Sequence, residues 1–186
     1  KLPDGAWLGN VLVTCVAPLI SSTEASDAAT ELQASVAELD QLSDVVRPHS
    51  EARARALKSV AAVLARAAGD MAGYSERLSA LHADELGDLV VARALAKQRR
   101  EAGDVPGACQ VLEATAAALS DNDDVAAALW LEAGLLRFRS GDRKTALASF
   151  EQAERRSEAA AELMTRLARR ATAPDNLEAR RQVLNA

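Results

Sequence analysis

Aromatic residues are scarce in this 186-residue chain: two Trp, two Phe and one Tyr amount to 3%. Beyond residue 20 it has few β-branched runs as well, and without both classes an extensive sheet lacks its usual material. Cysteine occurs twice, at Cys15 and Cys109, far apart and without CxxC spacing. That excludes a zinc ribbon or a disulfide framework, and both thiols read as small buried apolar side chains. The two histidines, His49 and His82, are expected in inter-helix turns. There is no HExxH, nucleophile elbow, Gly-rich phosphate loop or dinucleotide fingerprint. No catalytic, cofactor-binding or metal-ligating residue is therefore expected, and the chain does not read as an enzyme. A basic stripe interleaved with aromatics is missing too, so nucleic acid is not an expected partner. The longest apolar run, Val11 to Ile20, is broken by Pro18 and falls short of the ~20 residues of a membrane span. It reads as an ordered segment, although Leu12-Val13-Thr14-Cys15 loosely resembles a lipoprotein cleavage box. The expected compartment is the cytoplasm.

What the chain has in abundance is alanine, 42 residues, which favours closely packed helices. Eighteen Arg against four Lys, together with that alanine content, suggests a high-GC bacterial genome. The net charge of −5 is uneven: residues 1–50 carry seven acids and two bases, whereas residues 51–186 carry twenty of each. The chain starts at Lys1, which predicts a piece of something longer. A helix is expected from Ser26 to Val46, with Ala29, Leu32, Val36, Leu39 and Leu42 on one stripe, ending before Pro48.

The dipeptide Gly-Asp recurs at Gly69-Asp70, Gly103-Asp104 and Gly141-Asp142, at intervals of 34 and 38 residues. Glycine can take the left-handed conformation that closes a helix, and Asp can cap the next one. Each pair therefore predicts a hinge between two helices. At matching offsets after each hinge come Tyr74, Leu78 and Leu81, then Ala108, Leu112 and Thr115, then Ala146, Phe150 and Ala153. Steps of four and three predict one buried face. Before the third hinge, Trp130 and Gly134 share a helical face, the small residue letting a neighbouring helix approach. Ser120 to Asp124 reads as a lengthened turn with capping acids rather than a calcium loop, for it lacks the required Gly and distal Glu.

Trp130, Gly134, Gly141, Asp142, Ala146, Phe150 and Ala153 together resemble the signature of the tetratricopeptide repeat. The best copy is 127–160. Copies at 55–88 and 89–122 match in the hinge and second helix but lack the large aromatic in the first, and Phe138 lies one residue beyond the usual Tyr. The resemblance implies an all-α fold, a right-handed stack of antiparallel helical hairpins over 51–172. An N-terminal segment with an acidic capping helix (1–50) precedes it, and a C-terminal cap (173–186) follows. A helix is expected to continue through about Ala171, then break at Ala173-Pro174-Asp175-Asn176.

It also implies a scaffold that binds a protein or peptide in a groove lined by the first helices. The residues expected to face it are Ser59, Val63 and Arg66, then Arg93, Lys97 and Arg100, then Leu131, Leu135, Phe138 and Arg139. A carboxylate-bearing segment would pair with Arg93, Lys97 and Arg100 and anchor near Phe138. Two alternatives are a structural or oligomerisation module of a larger protein, acting as a homo-oligomer, and a groove covered by the acidic N-terminal helix.

Overall fold

The computed structural model describes residues 25–119 and 123–164, and every regular element among them is helical. Seven helices are defined among the described residues: α1 (Ala25–Val46), α2 (Glu51–Ala67), α3 (Met71–Asp84), α4 (Leu89–Glu101), α5 (Val105–Ala118), α6 (Asp123–Arg139) and α7 (Arg143–Arg156). They fall into two packed units divided between Asp84 and Glu85. In the first unit α1 packs on α2 and α2 on α3; in the second, α4 packs on α5, α5 on α6 and α6 on α7.

The hinges owe their sharpness to one backbone arrangement used three times. Gly69, Gly103 and Gly141 sit at φ of 80°, 83° and 90°, a region that side chains with a Cβ avoid. Each glycine N–H donates to the carbonyl three residues back and the following Asp N–H to the carbonyl five back, as in Gly69 to Arg66 and Asp70 to Ala65. This pair of bonds satisfies carbonyls that the helix end would otherwise leave open. The same aspartate then caps the next helix: Asp70 accepts from the Gly73 N–H at 2.8 Å, Asp104 from Gly107 at 2.9 Å and Asp142 from Thr145 at 3.2 Å. One residue thus closes one helix and opens the next.

All nine residues expected on the second-helix faces, from Tyr74 to Ala153, are buried. In the third hairpin Gly134 meets Phe150: a Cβ on that glycine would lie 2.4 Å from a ring carbon. Trp130 packs beside it on a cluster of Ala127, Ala153 and Ala160.

Three local expectations are corrected. Leu42 is 45% exposed, and Ser43 is buried in its place, its hydroxyl donating to the Ala54 carbonyl at 3.0 Å. A second successive step of three from Val36 swings Leu42 about 120° off the stripe, whereas a step of four from Leu39 keeps residue 43 on it. His82 lies inside the last turn of α3 and is buried, not in a turn. The helix expected to run on from Phe150 stops at Arg156, where Ser157 is extended and its hydroxyl donates to Asp124 at 2.7 Å; a new helical stretch covers 158–164. Cys15, the Val11–Ile20 run and the break at Ala173–Asn176 lie outside the described residues.

Candidate binding site

Helix α4 begins where Asp88 accepts from the N–H groups of Val90 and Val91. It buries Val91, Ala92, Leu95 and Ala96, which leaves Arg93, Lys97 and Arg100 on the opposite, exposed side. Those three are spaced by four and three and so share a face. Within the second unit they border a hollow of about 350 Å³, completed by Ala96 and, from α6, by Glu132 and Leu136. The lining thus combines three bases and one acid with two apolar side chains, Ala96 and Leu136. Lys97 makes a loose pair with Glu101 at 3.8 Å. Arg93, Arg100 and Glu132 have no ion-pair or hydrogen-bond partner among the described residues.

Arg137, next to Leu136, forms a two-pronged pair with Glu113 of α5, its Nε 2.9 Å from Oε1 and its Nη2 2.8 Å from Oε2. Ser149 of α7 donates to the same Glu113 oxygen at 2.8 Å. Three helices are thus joined at one carboxylate, which fixes the rotation of α6 and hence the direction of Glu132 and Leu136. The hydrogen bond to Glu113 raises the Arg137 pKa against the opposing effect of burial, and Asp142 adds a weaker contact at 3.6 Å. Close by, Cys109 is fully buried, donates weakly to the Ala133 carbonyl at 3.6 Å, and has its pKa raised by burial.

The other expected groove residues are placed differently. Arg66 belongs to the first unit, where its guanidinium lies over the Tyr74 ring at 5.6 Å. Phe138 is half-buried, with Arg143 over its ring at 5.9 Å, and Leu135 and Arg139 are exposed; none of these three lines the hollow. Leu131 packs with Trp130 on the alanine cluster. Sequence reasoning missed Glu132 and Leu136, because α6 carries Ala or Leu on every side and its sequence shows no preferred face.

A second hollow of about 260 Å³ lies in the first unit, lined by Asp40, Asp44, Lys58, Glu76, Arg77 and Ala80. Here the charges are mixed, and Arg77 is held by Asp40 and by the Gly73 carbonyl. No group of His, Cys, Asp and Glu among the described residues could hold a metal ion, and no helix among them is long and apolar enough to cross a membrane. No protein-family model, curated protein or solved structure matches the chain.

Proposed function

We propose that the chain is a non-enzymatic interaction scaffold of tetratricopeptide-like hairpins, and that the hollow between α4 and α6 receives a carboxylate-bearing peptide segment. The observation that carries this reading is the convergence of Arg93, Lys97 and Arg100 on one hollow that Ala96 and Leu136 also line. Guanidinium and ammonium groups held at a partly enclosed surface form charge-assisted hydrogen bonds to carboxylates, and Ala96 with Leu136 supplies the apolar contact that exposed charges alone lack. The repeated Gly-Asp hinge and the close Gly134–Phe150 contact support the tetratricopeptide likeness.

The test is a titration of the whole chain with a glutamate-rich decapeptide in low salt, followed by backbone NMR. Shifts should gather on α4 and α6, and the double substitution R93E/K97E should weaken binding by at least about tenfold, the equivalent of 1.4 kcal/mol. An unchanged affinity would overturn the proposal. A second reading, self-association as a structural module, draws on the exposed apolar side chains Val45, Val63, Val90 and Leu147. Light scattering that finds a dimer or larger species without ligand would favour it.

A further inference from the structure

The cationic hollow contains one acid that its three bases do not neutralise. Several charges elsewhere in the second unit close into pairs: Arg137 with Glu113, Arg156 with Asp123, Arg155 with Glu151. Glu132 lines the same hollow from α6 as Arg93, Lys97 and Arg100 do from α4, is half-buried, and forms an ion pair with none of them. The hollow's volume is at the lower end of ligand pockets, so it has room for one or two side chains rather than a whole peptide. Any ligand seated there meets both signs of charge at once.

A half-buried carboxylate without a partner gains from a cation brought beside it and repels a second anion. Resting on the function proposed above, we infer that Glu132 is a specificity-determining residue: the hollow selects a peptide segment in which an acidic side chain is followed closely by Lys or Arg. Arg93, Lys97 and Arg100 take the acid, and Glu132 takes the neighbouring base. The same residue discriminates against polyanions, which the three bases would otherwise attract most strongly. Specificity here comes from a repulsive element placed inside an attractive site.

The experiment compares the full-length wild-type chain with E132Q and R93E/K97E. Glutamine keeps the shape of Glu132 and one acceptor oxygen while removing the charge. The probes are a decapeptide alternating Glu and Lys, an all-Glu decapeptide and inorganic tripolyphosphate, measured by calorimetry in low salt. The wild type should bind the Glu-Lys peptide about three- to tenfold more tightly than the all-Glu peptide, the range of a single charge contact at a binding site. E132Q should reverse that order and gain affinity for tripolyphosphate. If E132Q keeps the wild-type order, or the wild type already prefers the all-Glu peptide, the role of Glu132 is overturned while the carboxylate reading stands. If R93E/K97E binds either peptide as well as the wild type, or the wild type binds neither, the carboxylate reading falls and Glu132 with it.

Discussion

In the first unit, Arg77 lies eight residues beyond its hinge glycine, Gly69, and ties α3 back to Asp40 of α1. In the second, Ser149 lies eight residues beyond Gly141 and ties α7 back to Glu113 of α5. The same helical position reaches the preceding second helix in both, so α1 occupies the place that α5 occupies later. What differs is where the ion pair falls. Asp40 and Arg77 are themselves lining residues of the first hollow, whose charges are thereby partly consumed. In the second unit neither Glu113 nor Arg137 lines the hollow, and their pair leaves Arg93, Arg100 and Glu132 open. A partly buried pair outside the lining acts as a positioning device; the same chemistry in the lining would fill the site. The first unit shows the consequence of the other placement.

The largest expected effect tests whether the two units are separate in energy as well as in packing. Leu57 and Leu112 are both fully buried, one in each unit. Each truncation to Ala should cost about 3 kcal/mol through lost burial and a residual cavity. Hydrogen exchange should then show L57A losing protection in α1–α3 and L112A in α4–α7. Loss of protection across both units from either change would abolish the comparison, because the chain would then open as a single cooperative body.

A smaller effect tests the device that the units share. A Cβ at Gly69, Gly103 or Gly141 meets no atom within 4 Å, so alanine there is opposed by backbone conformation alone. Each Gly→Ala change should cost about 1–2 kcal/mol, the usual penalty for an L-residue in the left-handed region. Denaturant midpoints of the three variants should shift alike. A hinge at which alanine is neutral would show that its left-handed turn is not maintained in solution.

The hinges were legible in the sequence because their causes are local: a left-handed glycine and a capping aspartate act within six residues of chain. The buried faces of the second helices were legible for a related reason, since each carries a three-four pattern, set against polar surroundings in α7 though not in the apolar α5. At Leu42 and Ser43 the helical step itself decided, since residue 43 stays on the stripe and Leu42 leaves it, and the Ala54 carbonyl makes the hydroxyl acceptable there by accepting from it. The α4 wall of the hollow was legible from the spacing of Arg93, Lys97 and Arg100. The α6 wall was not, because Glu113, twenty-four residues away in sequence, sets the rotation of that helix through Arg137. Phe138, expected as an anchor, carries Arg143 over its ring across the hinge.

The smallest effect concerns pH and sharpens the account of the second unit. The Asp142 carboxyl has a lowered pKa, chiefly through hydrogen bonds from the Thr145 side chain and N–H, with a lesser contribution from Arg137. A group whose folded pKa lies below its unfolded value adds stability above the unfolded value, about 3.9 for Asp, and that stability is lost as pH falls through the folded value. The start of α7 should therefore fray in acid below about pH 4, read as faster exchange of the Thr145 amide. Asparagine is an equally good cap without the titration, so D142N should flatten this response while leaving α7 capped at neutral pH. Arg137 faces Asp142 on one side and Glu113 on the other, so if hinge and ion pair form one network, acidification should also perturb the Arg137 guanidinium resonances in the wild type and do so less in D142N. An acid response at Thr145 that is identical in the two proteins would mean that the cap's charge does not contribute to holding the hinge.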